Sequence, residues 1–184
     1  IDVVGEILKA NPSLVNEGGD YGVLCMAAGF ASVELIKLLL RYMPDLNQAW
    51  YGNNYMGYAS RKNHRWGGPR LDVIRLFLEH GTDPNRANWF GVTYLHLQAK
   101  DGRESVAERL LEFGANINAI DDEYCATPLG WAAIWGQKEM VEFLVAHGAE
   151  PNLAREAWAK PLAWAETKGH TEIAKILRAH GAAK

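Results

Sequence analysis

The sequence predicts an all-α fold, a solenoid of stacked helix-turn-helix units, and three observations support this prediction. A motif centred on a leucine recurs at Leu95, Leu129 and Leu162, at spacings of 34 and 33 residues. Each copy contains two segments with helical apolar periodicity and closes on a glycine. A single pair of such helices cannot bury its apolar face alone, so neighbouring pairs must stack.

Five repeats and one partial repeat account for the chain of 184 residues. Two repeats, centred on Leu24 and Met56, match the three closely aligned ones less cleanly, and the second has extra residues at 64–70. Residues 1–16 have the pattern of a second helix and its closing turn. We therefore predict a single domain, 1–184, with a partial repeat at 1–16 and full repeats at about 17–48, 49–87, 88–121, 122–154 and 155–184.

The first helix of each full repeat is predicted from a short motif at its start. In Thr127-Pro128-Leu129 and Lys160-Pro161-Leu162 the proline falls in the first helical turn, where its missing N–H would have no partner anyway. Alanines follow and let neighbouring helices approach closely. The motif resembles the start of the repeat in the ankyrin family, which has about 33 residues and a T-P-L-H-x-A signature. The resemblance covers essentially the whole chain and implies an ankyrin-repeat solenoid with hairpin fingertips.

The second helix of each repeat carries an apolar face, as in Met140, Val141 and Leu144. A glycine such as Gly114 or Gly148 then ends the helix, because glycine reaches the left-handed conformation of a helix C-terminus without steric cost. These glycines predict where each repeat closes.

The composition excludes several classes of function. A net charge of −3 argues against a nucleic-acid binder, which needs a basic stripe. Charges interrupt the longest apolar stretch, 33–43, so we expect no membrane span. Cys25 and Cys125 lie three repeats apart, too far for a disulfide, and with no visible targeting segment they favour a cytoplasmic location. The helix pattern begins at once from Ile1, and we expect the chain to be a piece of a longer protein.

No residue pattern predicts catalysis, a cofactor or a metal. His96 occupies the histidine position of the signature, and others, such as His147, precede a closing glycine. The histidines are therefore spaced like repeats and not like metal ligands. Asp121 and Asp122 are adjacent in a predicted turn, where solvated carboxylates are expected. We predict that the chain is not an enzyme and carries no cofactor.

In the ankyrin family, partners usually bind the concave side, formed by the fingertips and the exposed face of the first helix. The resemblance places the tips at 49–51, 88–90, 122–124 and 155–157. Cys125 and Trp158 replace the glycine that closes the earlier tips, so we expect the last two turns to be distorted. The candidate binding residues at the tips are Trp50, Tyr51, Trp89, Phe90, Glu123 and Tyr124.

Further candidates lie beside the tips. Phe30 and Trp135 fall at the inner end of the first helix, and Arg65 and Trp66 lie in the insertion. Aromatic residues are the commonest binding hot spots, and an exposed apolar patch needs a reason. The alternative for the tip aromatics is stacking of neighbouring tips on one another. The core is instead the predicted place for Trp131, Trp164 and Tyr58.

These observations predict a protein- or peptide-binding module, of the adaptor or inhibitor kind, whose partner is another protein or peptide. Basic residues of the insertion and acidic residues of the third tip would orient that partner. The alternative is a small-molecule or carbohydrate site on the same aromatics, favoured if Trp89, Trp135 and Tyr124 line a closed pocket. An enzyme is the least favoured option.

Overall fold

The computed structural model describes residues 2–16, 23–42, 44–47, 55–60 and 68–183. Within these ranges the chain forms α-helices and two short 3-10 turns, Pro12–Asn16 and Ala157–Ala159, with no β-strand. The predicted all-α fold is confirmed. The helices are α1 (Asp2–Ala10), α2 (Val23–Phe30), α3 (Val33–Leu40), α4 (Tyr55–Ser60), α5 (Leu71–Glu79), α6 (Tyr94–Asp101), α7 (Glu104–Glu112), α8 (Pro128–Ile134), α9 (Lys138–Ala146), α10 (Pro161–Thr167) and α11 (Thr171–Ala179).

The chain divides into two compact units, Ile1–Asp83 and Pro84–Lys184. In the first unit α2 packs on α4, and α3 packs on α5. In the second unit α6, α8 and α10 pack in series, as do α7, α9 and α11. The second helix of each full repeat also contacts the first helix of its own repeat. The predicted stacking of helix pairs is thus present within each unit, and the single domain stays a prediction.

Side-chain caps fix the start of two first helices. The Thr127 hydroxyl accepts the N–H of Gly130 at 3.3 Å, and Pro128 occupies the first turn of α8. At α6, the Thr93 hydroxyl accepts the N–H of His96, and Nδ1 of His96 accepts the N–H of Thr93 at 3.2 Å. These bonds satisfy N–H groups that the helix itself leaves without a partner. The motif therefore starts the helix as the sequence predicts.

Glycines end the second helices, also as predicted. Gly148 has a φ of +88°, and the N–H of Ala149 then donates to the carbonyl of Leu144 at 3.0 Å. This bond satisfies a carbonyl at the helix end and turns the chain toward the next tip. No helix in the described ranges has the length and apolar character needed to cross a bilayer.

An asparagine near the end of each repeat ties it to the next repeat of the same unit. The Asn85 side chain donates from Nδ2 to the carbonyl of Gly114 at 2.9 Å and accepts the N–H of Asn116 at 2.6 Å. Asn47 and Asn152 make the same pair of bonds in their own units. The sequence shows these asparagines at constant positions, but only the structure shows that they bridge repeats.

We predict that Asn85→Ala lowers the free energy of unfolding of the second unit by about 1–2 kcal/mol, because two hydrogen bonds of modest net value are lost. Urea denaturation followed by tryptophan fluorescence measures this loss. Asn85→Asp keeps an acceptor for the N–H of Asn116 and loses only the donor, so its loss should be smaller. Equal losses for both variants would contradict the paired bonding.

Candidate functional site

The structure places the predicted site residues in different parts of the molecule. Phe30 lies on α2 in the first unit. Trp89, Phe90, Glu123, Tyr124 and Trp135 lie in the second unit, where they can be compared with one another. The remaining predicted residues, Trp50, Tyr51, Arg65 and Trp66, lie outside the described residues.

The tip at 88–91 is a hydrogen-bonded turn that holds two aromatic rings in solvent. Oδ1 of Asn88 accepts the N–H of Phe90 at 2.9 Å and the N–H of Val92 at 3.0 Å. The Trp89 side chain is 59% exposed and that of Phe90 46%, with ring centroids 5.7 Å apart. The Asn88 side chain therefore fixes the backbone of the turn, and the rings of Trp89 and Phe90 project from it.

The next tip is built around a buried carboxylate, Asp121, and corrects the prediction that this side chain is solvated. Oδ1 of Asp121 accepts the N–H groups of Glu123 and Tyr124, at 2.7 and 2.6 Å. Oδ2 accepts the N–H of Ala126 at 3.1 Å and the indole N–H of Trp131 at 2.8 Å. Four donors compensate a side chain that has no exposed area. The carboxylate of Asp121 therefore stabilises the backbone of the tip.

Asp121 occupies the position in its turn that Asn88 occupies in the tip at 88–91, but the turn that begins at Asp121 is one residue longer. The N–H of Asn88 donates to the carbonyl of Val92, whereas the N–H of Asp121 donates to the carbonyl of Ala126. The extra residue explains why this repeat spacing is 34 residues and the next is 33. The sequence contains this signal, which could have located the longer turn.

Tyr124 points back toward the helices and does not project from the tip. Its ring meets those of Trp131 and Trp135 edge to face, with centroids 5.3 Å apart in each case. It also meets Trp164 edge to face at 6.0 Å, and Trp164 meets the exposed Trp158 at 5.8 Å. We call these five residues the aromatic cluster. Burial, aided by the charge of Glu123, raises the pKa of Tyr124, so its hydroxyl stays neutral.

The expectation that three aromatics belong to the core is confirmed for Trp131, which is 3% exposed. Trp164 and Tyr58 are only half-buried, so the expectation was wrong about the depth of their burial. Trp131 lies on α8, which has a first helix packed on either side, α6 and α10. Among the described first helices, α10 packs only on α8.

Two lysines lie over the faces of tryptophan rings at the edge of the aromatic cluster. Nζ of Lys100 is 5.1 Å from the ring centroid of Trp135, and Nζ of Lys168 is 5.9 Å from that of Trp164. A cation is attracted to the electron-rich face of an indole ring. The half-buried Trp135 therefore offers a surface on which apolar area and positive charge lie side by side.

The two later tips differ in how they replace the closing glycine. Cys125 has a φ of +52°, close to the +69° of Gly91, so it adopts the same left-handed conformation although its turn is one residue longer. The cysteine is held in the left-handed conformation by the bonds around Asp121, at a cost in strain. At the last tip the chain instead forms the 3-10 turn Ala157–Ala159, so the predicted change of geometry is confirmed around Trp158.

We predict that Cys125→Gly raises the free energy of unfolding by about 0.5–1 kcal/mol, since glycine accepts this φ without strain. Gly91→Ala should do the opposite, because φ is positive there and an added Cβ would lie 3.4 Å from Cα of Asp121. Chemical denaturation of both variants tests the pair. A loss of stability in Cys125→Gly would show that the thiol side chain contributes more than the strain costs.

His96 is buried beside Asp121 and stays neutral. Burial lowers its pKa from 6.5 to about 4, against the opposing effects of the Asp121 charge and the carbonyl of Ala126. Its Nε2 lies 3.2 Å from that carbonyl, and its other ring nitrogen caps α6. The interpretation of His96 as part of the repeat framework is therefore confirmed.

The lowered pKa of His96 predicts a loss of stability in acid. Below about pH 6.5 His96 is protonated in the unfolded chain but not in the folded chain. The free energy of unfolding therefore falls by up to about 1.4 kcal/mol for each pH unit of acidification. The decline from this group ends near pH 4, where the folded state also binds the proton. His96→Gln should be less stable at pH 7 but show a shallower slope between pH 6.5 and 4.5. Denaturation at stepped pH measures both slopes, and parallel profiles would contradict the assignment.

Three of the other described histidines cap the ends of second helices, whereas Nε2 of His170 lies 3.3 Å from the carbonyl of Ile134. Nδ1 of His80, His147 and His180 lies 2.8 to 2.9 Å from the carbonyl four residues earlier. Within the described ranges, no group of three histidine, cysteine or carboxylate side chains lies close enough to hold a metal ion.

Stacked helix pairs whose tips carry exposed rings define a helical-repeat protein with an extended surface. Residues 66–155 match a family profile described as ankyrin repeats (3 copies). Residues 66–155 therefore consist of ankyrin repeats, as the motif resemblance predicts. Ankyrin repeats are in general protein-interaction modules.

Several relatives share the repeat region. Palmitoyltransferase Hip14 of Drosophila melanogaster is 34% identical over 100 residues, which are 54% of this chain and 15% of that protein. Potassium channel KOR2 of Oryza sativa is 37% identical over 77 residues, or 42% of this chain and 11% of the channel. An ankyrin repeat-containing protein of Treponema pallidum is 28% identical over 83 residues, which are 45% of this chain and 28% of that protein. The chain thus spans less than a third of each of these three relatives, and the names of the first two describe different activities.

Proposed function

We propose that the chain is a protein- or peptide-binding module, of the adaptor or inhibitor kind, that holds its partner on the second unit. One observation carries the proposal: Trp89 and Phe90 are exposed on a turn that the Asn88 side chain already fixes. A large ring on a fixed backbone loses little conformational freedom on binding, which is why such residues dominate interface energies.

The edge of the aromatic cluster suggests the chemistry of the partner. Lys100 and Lys168 already lie over the tryptophan faces, so these faces do not favour a cationic ligand. The ammonium groups can instead donate to carbonyl or carboxylate oxygens while the ring edges contact apolar side chains. A peptide segment with apolar residues and exposed carbonyl groups satisfies both requirements.

A carbohydrate or small molecule is the second candidate, and it would require a pocket among the rings. Tyr124 packs edge to face on Trp131 and Trp135, so its own ring takes up the space beside them. An open cavity of about 350 Å³ in the second unit lies elsewhere, between α10 and α11. This packing favours an extended contact surface over a closed site.

The proposal also takes the chain as non-catalytic. Among the described residues, the buried carboxylate of Asp121 and the buried imidazole of His96 both use their polar atoms in hydrogen bonds to the framework. A catalytic base needs a free position toward its substrate. The net charge of −3 further supports a protein partner over nucleic acid.

We predict that Trp89→Ala together with Phe90→Ala abolishes capture of a peptide while leaving the unfolding midpoint almost unchanged. Peptides selected on the parent chain from a random display library supply the probe, and titration calorimetry measures the affinity. Loss of two exposed aromatic contacts should weaken binding at least about 30-fold.

The control is Lys138→Ala with Glu142→Ala, which removes an exposed ion pair on α9 and should leave affinity intact. Collapse of stability in the aromatic double variant would show that the tip is structural. Selected peptides that bind the double variant unchanged would place the binding surface elsewhere. If the parent chain binds glycans on an array and the double variant of Trp89 and Phe90 does not, the carbohydrate alternative is favoured.

A further inference from the structure

A row of rings in the second unit ends on a lysine at each side. The rings of Trp135, Tyr124 and Trp164 follow one another, with centroids 5.3 Å apart for the first pair and 6.0 Å for the second. All three are half-buried, so each keeps part of its surface in solvent. Nζ of Lys100 lies 5.1 Å from the centroid of the first ring, and Nζ of Lys168 lies 5.9 Å from that of the last. We call these five residues the lysine-flanked row.

The two lysines of the row differ from the lysines on the second helices α9 and α11. Lys138 and Lys175 form ion pairs with glutamates of their own helices. Lys100 and Lys168 are exposed, and no carboxylate in the described part of the chain lies within ion-pair distance of either. An indole face attracts a cation but does not neutralise its charge, and each ammonium group can donate three hydrogen bonds. The row therefore carries two positive charges without a counter-charge.

The carboxylates that lie closest to these lysines in the sequence are bound elsewhere. Asp101, which follows the first lysine, pairs with Arg103 at 2.8 Å. Glu166, two residues before the second lysine, is ion-paired with Arg178. These acidic side chains therefore leave both ammonium groups to an acceptor from outside.

A third donor in the row also lacks an acceptor. Trp131 and Trp164 each lie two residues after the leucine of their motif. The indole N–H of Trp131 donates to Asp121, whereas that of Trp164 is buried and has no acceptor among the described residues. This N–H is covered in the free chain, so no contact with a partner is assigned to it. Together with the lysines it shows that the row holds more donors than acceptors.

One acidic side chain limits where the carboxylates of a partner can lie. The charge of Glu123 contributes, after burial, to the raised pKa of Tyr124, so it acts on the middle ring of the row. The two ammonium groups lie at the ends. Because like charges repel and opposite charges attract, carboxylates fit at the two ends and an apolar side chain fits between them.

The length of the row sets the spacing of those carboxylates. Each step from one ammonium group through the rings to the other is between 5.1 and 6.0 Å long. An extended peptide advances about 3.3 Å per residue, so about two residues cover one step. The complete row therefore allows at most about seven residues between the two carboxylates.

We propose that the lysine-flanked row binds an acidic peptide segment, which carries two carboxylate side chains up to about seven residues apart and an apolar side chain between them. This inference rests on the proposed function and names the class of its partner. The carboxylates accept hydrogen bonds from Lys100 and Lys168, and the apolar side chain contacts the ring of Tyr124. Such complementarity orients the partner and speeds encounter.

The test selects peptides of about twelve residues from a random display library on the parent chain, a length that covers the row. We expect enrichment of aspartate or glutamate pairs at this spacing. Lys100→Gln with Lys168→Gln should weaken the enriched peptides about tenfold, measured by titration calorimetry, because two ion pairs are lost. Raising the salt concentration from about 0.1 to about 1 M should weaken binding to the parent chain more than to this variant.

Two controls separate contact from general effects of charge. Lys138→Gln with Lys175→Gln removes the same charge from the same unit and should leave the affinity almost unchanged. Lys100→Glu with Lys168→Glu should bind the enriched peptides poorly, and binding should recover when the two acidic residues of the peptide are changed to lysine. A role of the two lysines in folding alone would not produce this recovery.

Selected peptides without paired acidic residues, equal losses in the two glutamine variants, or no recovery on charge exchange would each overturn the proposal. So would phosphatidylserine vesicles that bind the parent chain but not the Lys100 and Lys168 variant, with no acidic peptide enriched, because the row would then contact an anionic membrane. Where the peptides in these cases still depend on Trp89 and Phe90, the proposed function stands without the acidic partner. If no peptide is selected at all, both fail.

Discussion

The apolar face of each helix pair can be buried only by the next pair, and the rest of the structure follows from that constraint. Close approach between first helices depends on residues without bulk: an added Cβ at Gly29 of α2 would lie 3.2 Å from the ring of Tyr58 on α4. Ala132 and Ala133 are completely buried in α8. α2 packs on α4, whereas its side chains Val23, Met26 and Phe30 stay exposed beside an open cavity.

The buried Asp121 carboxylate links this helical framework to the tip. It binds three backbone N–H groups of the turn and the indole N–H of Trp131, which lies in the core of the helix stack. The position of Tyr124 in the aromatic cluster therefore depends on the packing of α8. A buried charge is tolerable here because four N–H groups donate to the two carboxylate oxygens. The tip and the core should consequently unfold together.

Local and periodic features were predictable from the sequence. The helix starts at Thr127 and Thr93 and the stop at Gly148 depend on neighbours only a few residues away, so a motif is enough to place them. The burial of Asp121 and the inward turn of Tyr124 depend on Trp131, which a sequence pattern cannot bring into contact with them. Asp121 was misplaced because a carboxylate in a turn was taken to face water. The indole N–H of a core tryptophan was the missing clue, since it needs an acceptor.

The two units expose apolar area in different places. On α2 the exposed side chains of Val23, Met26 and Phe30 lie along one helix. At the tip of the second unit the neighbour is already in place, because the N–H of Asp122 donates to the carbonyl of Phe90 at 2.7 Å. Trp89 and Phe90 nevertheless stay exposed. Stacking of the following repeat therefore leaves these two rings uncovered, which makes them the stronger indication of an external partner.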